Sequence, residues 1–173
     1  MSKPIINIEE LEYQGFPGEI PAQAKEKYEG TKMGQAAVKI GAQKLGYSVI
    51  VVPKGKGKRA FPFHNHRVNE EAFFILEGEG EVRIGAETYP IKKGDFIANP
   101  PGGAESAHQI VNTSDGAELK YIGISTKQSP EIAEYPDSGK FGVMHIEPGV
   151  DGKPNVLRFL GKLKDSLGYW DGE

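Results

Sequence analysis

Cysteine is absent from the 173 residues, which removes disulfide staples, thiol nucleophiles and thiolate metal sites together and agrees with a reducing compartment. Long apolar runs are missing as well. Stretches such as Val49–Val52 fall far short of the roughly 20 residues a membrane-spanning helix needs, so no membrane partner is expected. Met1–Glu12 has no basic head, no apolar run of about 7–15 residues and no small-residue cleavage site, so a cytoplasmic location is expected. An excess of charge of one sign is also lacking: 21 Lys and Arg face 24 Asp and Glu, a formal net charge of −3. A near-neutral chain has no basic footprint for a phosphate backbone, and nucleic acid is not an expected partner. No internal repeat and no low-complexity stretch breaks the sequence.

What the chain has is punctuation. Its 23 glycines and 12 prolines are scattered between short apolar or alternating runs, the pattern of an all-β chain. Strands are predicted over Ala36–Ile40, Leu45–Val52, Glu71–Glu77, Gly80–Ile84, Glu87–Ile91, Asp95–Ala98, His108–Val111 and Leu119–Ser125, and eight short strands indicate a sandwich or barrel. Glycines in Glu77–Gly80, Ile84–Ala86 and Lys92–Asp95 sit where hairpins need positive φ, making neighbouring strands antiparallel. Only Ala22–Tyr28 and a turn near Pro130–Glu134 read as helical. A chain of this length buries about 70% of its unfolded surface, enough for one core without staples.

Three of the four histidines fall where β geometry can bring them together. His64 and His66 are two apart, so on a strand both imidazoles project from one face, about 7 Å apart at Cα, and can turn onto one cation. Glu71, Phe73 and Ile75 share a face of the next strand, which puts a carboxylate at its rim above apolar side chains and supplies a further ligand. A lone His-x-His is as readily a polar edge strand. The glutamate, the glycine turn at Gly78, and His108 with Asn112 on a later strand make coincidence a poor explanation.

These residues resemble the two motifs of the cupin superfamily. His64, His66, Glu71 and Gly78 match the first, with the leading glycine displaced to Gly57. Gly94, Pro100, Gly102, His108 and Asn112 match the second, except that five residues instead of two separate Gly102 from His108. The stretches Glu134–Lys140 and Tyr169–Glu173 are similar to a group of small bacterial single-domain cupins without a settled reaction. The resemblance implies an all-β double-stranded β-helix, or jelly-roll barrel, over about residues 34–126 of one domain spanning 1–173, with irregular extensions at 1–33 and 127–173. It also implies one divalent transition metal on His64, His66, Glu71 and His108. Imidazole with carboxylate suits zinc or iron first, and manganese, nickel or cobalt as well.

Other residues complete the expectation. Glu70 is an alternative ligand to Glu71, although only Glu71 keeps the six-residue distance to Gly78. Glu105, in the longer loop before His108, and Glu70 are the expected general acid–base groups. Arg59 closes the basic run Lys54–Arg59 and is the expected clamp for a substrate carboxylate or phosphate. His145 is expected at the surface or in packing, and Phe61, Phe63, Phe73, Phe96 and Tyr121 in the core or an interface. Tyr169 and Trp170 are expected to pack back on the domain or on a second subunit, and the resemblance favours a homodimer. The expected function is a metal-dependent enzyme, such as a dioxygenase or isomerase, acting on a small polar metabolite of the sugar or carboxylate class. The alternative is a non-catalytic module that binds a sugar or similar small ligand.

Overall fold

A computed structural model of the chain describes residues 3–16, 18–149 and 153–173. In chain order its strands are β1 (Gln14–Gly15), β2 (Lys32–Gln35), β3 (Leu45–Val52), β4 (Lys58–Arg59), β5 (Asn65–His66), β6 (Glu71–Glu77) and β7 (Glu79–Ile84). They continue as β8 (Glu87–Lys92), β9 (Phe96–Asn99), β10 (His108–Asn112), β11 (Leu119–Thr126), β12 (Glu131–Tyr135), β13 (Lys140–Glu147) and β14 (Asn155–Lys162). Two short helices, α1 (Ala22–Tyr28) and α2 (Ala36–Lys39), lie in the N-terminal part.

Two antiparallel sheets make the jelly roll. The first runs β1-β2-β3-β11-β6-β9 and the second β4-β10-β7-β8. Alternation along each strand turns one apolar row inward: Ile50 and Val52 of β3, Phe73 and Ile75 of β6, Leu119 and Tyr121 of β11 meet Val82, Ile91 and Ile110 of the opposite sheet in one core. Each strand is only half apolar, so neither sheet is stable without the other. Gly78 makes the turn that carries the chain from β6 to β7, with φ +83°, and a Cβ there would run into the backbone carbonyl of Glu118.

A third sheet, β14-β13-β12-β5, corrects the expectation of an irregular C-terminal extension. Strands β12, β13 and β14 form a meander that adds to the strand carrying His66, through Ala133 opposite His66 and Glu134 opposite Asn65. The predicted helical turn at Pro130–Glu134 is therefore largely strand β12, because pairing on both edges outweighs a weak local preference. The strand predicted at Ala36–Ile40 is instead mostly α2: the pairing segment is Lys32–Gln35, and Ala36-Ala37, with high helix propensity, turn the chain out of the sheet. Phe63, Phe73 and Tyr121 are buried as expected, whereas Phe96 is 78% exposed and stacks on Phe74 with ring centroids 4.4 Å apart. Among the described residues no helix is long and apolar enough to cross a membrane.

The Gly78→Ala substitution is expected to destabilise the protein by about 2–4 kcal/mol, since it adds both positive-φ strain and a backbone collision. Urea unfolding of the two proteins measures this; a change below about 0.5 kcal/mol would show that the turn relaxes freely.

Candidate metal centre

The cluster is assembled from three elements. His64 and His108 form an antiparallel bridge, with the His64 amide donating to the His108 carbonyl at 3.2 Å and the His108 amide donating back at 2.8 Å. This sets their rings side by side, centroids 4.7 Å apart. His66 lies two residues on, its ring 5.1 Å from that of His64. Glu71 opens β6 on the face that continues into Phe73 and Ile75, so its carboxylate closes the mouth of the apolar interior.

The three imidazoles converge on one carboxylate oxygen. Glu71 Oε2 is 2.9 Å from His108 Nε2, 3.5 Å from His66 Nε2 and 3.8 Å from His64 Nε2. Donors held about 2.0–2.1 Å from a single ion stand about 2.8–3.0 Å apart at octahedral angles and about 3.3–3.4 Å apart at tetrahedral ones, and the observed separations run from within the first range to about 0.4 Å beyond the second. Ligating atoms of His64, His66 and Glu71 all lie within 4.8 Å of one another.

The opposite ring nitrogens of His64 and His108 face backbone carbonyls, while that of His66 is buried near a carboxylate without a hydrogen bond among the described residues. His64 Nδ1 is 2.8 Å from the Pro62 carbonyl, His108 Nδ1 is 3.3 Å from the Ser106 carbonyl, and His66 Nδ1 lies 3.6 Å from Glu131 Oε2. Carbonyls in these places can take the Nδ1 proton of His64 and His108 whenever Nε2 is given up to an ion, the outer-shell arrangement that orients metal-binding histidines. Asn99, directly opposite Glu71 across β6 and β9, is 3% exposed, and both polar atoms of its amide lack a partner among the described residues. A buried amide without partners calls for a ligand or water beside the cluster. The donor set therefore fits a divalent metal ion.

Electrostatics follow the same geometry. Burial disfavours the Glu71 anion, but hydrogen bonds from His108 and His66 overcome it and hold the carboxyl well below the usual carboxylate range. Burial, together with the neighbouring His108, pushes His64 down to about 4. His66 is also opposed by burial, but the carboxylates of Glu71 and Glu131 raise it.

A cavity of about 530 Å³ opens from His66 and Glu71, lined by polar Gln43, Lys127 and Gln128 on one side and by Met144 and Ile146 on the other. Of the sequence-predicted site residues, His64, His66, Glu71 and His108 come together, and the others do not join them. Glu70 is exposed, its backbone paired with Thr126. Glu105 accepts from the Gly103 amide at 2.8 Å, which holds its pKa down and folds the loop before His108. Arg59 is bound by Gln109 and the Gly57 carbonyl and lines a different cavity. His145 lies outside the cluster, 3.1 Å from Ser129 Oγ.

Sequence reasoning missed Glu131, Tyr135, Asn99 and Lys127. Glu131, 5% exposed, accepts from the amides of Val68, Asn69 and Ile132 and from the Asn69 side chain; it braces the turn between His66 and Glu71. Tyr135 stacks on His64, centroids 6.0 Å apart. The alternation Glu131, Ala133, Tyr135 was a readable period-two signal, whereas its facing the histidines depends on the third sheet.

Residues 49–125 match the family model described as a cupin domain. The fold is similar to the crystal structure of a sugar phosphate isomerase from a cupin superfamily, from Silicibacter pomeroyi, with TM-score 0.76 and 19% identity over 97% of this chain and 98% of that one. Among curated proteins, an uncharacterised protein of Methanocaldococcus jannaschii is 41% identical over 49 residues, 28% of this chain and 37% of that protein. Quercetin 2,3-dioxygenase of Bacillus subtilis is 31% identical over 64 residues, 37% of this chain and 18% of that protein. The chain thus spans well under half the length of these curated relatives.

Because His64 is held below its ordinary value of 6.5, the unfolded chain binds its proton first. Stability from this group is present above pH 6.5 and is lost as pH falls towards 4, while the raised His66 offsets part of the loss. Metal-stripped protein is expected to lose on the order of 1–3 kcal/mol over that interval, and His64→Gln to lose less. Chemical denaturation at both pH values checks this; equal losses in the two proteins would contradict the assignment.

Proposed function

We propose that this chain, whose residues 49–125 match the cupin domain model, is a metal-dependent enzyme acting on a small polar metabolite of the sugar or carboxylate class. The observation that carries this reading is the convergence of three Nε2 atoms on one Glu71 oxygen at the base of an open cavity. His64, His66, Glu71 and His108 would hold a single divalent ion, zinc or iron first, with manganese, nickel or cobalt also fitting this donor set. Such an ion would supply Lewis acidity, and oxygen chemistry if it is redox-active.

The chain's own residues divide the remaining work. The Pro62 and Ser106 carbonyls orient His64 and His108 through Nδ1, and the Glu131 carboxylate, 3.6 Å from Nδ1, steadies His66 by its charge. The Asn99 amide offers a donor and an acceptor beside the cluster, while Lys127, Gln43 and Gln128 suit an anionic or hydroxyl-rich substrate. The neighbouring structure named as a sugar phosphate isomerase and the relative named as a dioxygenase fit the two reaction classes considered, and the cluster accommodates either. Glu70 and Glu105 are structural in this reading, because neither lines the cavity.

One observation favours the alternative of a binding module. Among the described residues the carboxylates lining the cavity are Glu71 and Glu131, both engaged, so none of these stands free as a general base.

We also infer one domain over residues 1–173, located in the cytoplasm, and a second copy of the chain as partner. Strand β14 is exposed on both faces, with Leu157 67% and Phe159 50% exposed on one and Val156 53% and Leu160 49% exposed on the other. Tyr169 and Trp170 pack on each other, ring centroids 4.7 Å apart, with Trp170 77% exposed, and not on the core. Large apolar side chains exposed in this number mark a surface for association rather than a free one.

Purified protein is expected to carry one equivalent of metal by elemental analysis, and His66→Ala to carry little. Turnover of a sugar phosphate or hydroxylated aromatic by the loaded protein alone supports the enzyme, and saturable binding without product supports the module. Absence of metal after controlled reloading removes both. Glu131→Gln is expected to weaken metal binding about 10- to 100-fold, read by chelator competition. Sedimentation at micromolar concentration should give a dimer that becomes monomeric in the Leu157→Asp, Phe159→Asp double variant; a monomeric parent protein overturns the interface.

A further inference from the structure

A second cavity, about 630 Å³, lies on the outer face of the β4-β10-β7-β8 sheet, between α1, the stretch Arg59–Phe63 and the turn joining β12 to β13. It shares no lining residue with the cavity of the metal cluster. Five charged side chains line it: Lys27, Arg59 and Lys140 against Glu19 and Asp137. Asp137 is already neutralised, both its oxygens lying 3.0–3.1 Å from Arg83 Nη1, and Arg83 in turn lies 3.6 Å over the Phe63 ring. The cavity is left with an excess of positive charge.

Arg59 is the organised part of that charge. Its Nε donates to the Gly57 carbonyl at 2.9 Å and its Nη1 to Gln109 Oε1 at 2.9 Å. Gln109 is itself buried and fixed by donating to the Phe61 carbonyl at 2.8 Å. Both acceptors are neutral, and no carboxylate lies within ion-pair distance of Arg59 among the described residues. A guanidinium has five N–H groups, so about three remain for an oxyanion, and the fork is held in place before any ligand arrives. Beside it stands an aromatic wall of Tyr28, Phe16 and Phe61, the last two edge to face with centroids 5.1 Å apart.

We propose that this cavity is a second ligand site, which takes a small ring-bearing metabolite with a single oxyanion group, a phosphate monoester or a carboxylate. The anion sits on Arg59, with Lys27 and Lys140 adding field at the rim, and the ring lies against Phe16, Phe61 and Tyr28. A guanidinium supplies planar oxyanion recognition, and the aromatic wall supplies area that a bare inorganic anion cannot use. The site does not depend on the metal reading, since none of its residues is in the metal cluster.

The test uses the full chain, stripped of metal, titrated calorimetrically with phenyl phosphate, benzoate, inorganic phosphate and phenol. Phenyl phosphate or benzoate is expected to bind saturably and more tightly than inorganic phosphate or phenol. Arg59→Met should weaken that binding about 10- to 100-fold, with Arg59→Lys intermediate. Phe16→Leu, which leaves Arg59 untouched, should weaken phenyl phosphate and benzoate while leaving inorganic phosphate unchanged, and it keeps the test valid should Arg59→Met fold poorly. His66→Ala should bind as the parent does. The proposal is overturned by no saturable binding of either ring-bearing anion up to about 10 mM, by undiminished affinity in Arg59→Met, or by loss of binding in His66→Ala.

Discussion

A carboxylate at the mouth of an apolar barrel is the constraint around which the rest is arranged. Transfer of the Glu71 anion out of water is costly unless charged or polar hydrogen atoms meet it, and His108 and His66 provide them. Those imidazoles are in turn oriented by backbone carbonyls and by Glu131. The apolar row below, Phe73 and Ile75, keeps bulk solvent from the floor of the site while the side next to Lys127 remains open. Removing the acid would leave three imidazoles crowded together with only the Glu131 carboxylate, itself occupied by backbone amides, near one of them.

The third sheet gives the C-terminal part of the chain its purpose. Strand β12 pairs with the short strand bearing His66, and its inward row places Glu131 behind one histidine and Tyr135 beside another. The same meander carries Met144 and Ile146 to the wall of the cavity and leaves β14 uncovered on both faces. The site and the exposed apolar strand β14 therefore lie at two ends of one sheet. On the opposite side, the N-terminal segment and α1 cover the outer face of the barrel incompletely, and Arg59 faces the gap they leave. Pro62 stands between the two cavities: it lines the outer one, and its carbonyl faces His64.

Much of the barrel was legible in the chain because its signals are local. Alternation in Leu45–Val52, Glu71–Glu77 and Leu119–Ser125 places strands, glycines mark the hairpins, and the two histidine motifs at their spacings nominate four residues that fold together. Less local features were misread. Ala36–Ile40 has a short apolar pattern equally suited to a strand or a helical turn, and Pro130–Glu134 lacks any strand signal strong enough to outweigh the turn. Arg59 and Glu105 were nominated by nearness in sequence, yet the period-two geometry of β4 turns Arg59 outward and a hydrogen bond to Gly103 folds Glu105 into its own loop.

Local pattern alone placed the barrel strands between Leu45 and Ser125 and their turns, and offered three imidazoles and an acid with the spacing to meet. It did so because strand periodicity, glycine at positive φ and side-chain chemistry are properties of neighbouring residues. Only the tertiary structure decided what stands behind the histidines, which acids are spent on backbone amides, and which cation is left without a counter-ion. Those outcomes depend on pairing between segments some 70 residues apart, as in Asn65 with Glu134, and such pairing is set by burial summed over whole sheets rather than by any local pattern.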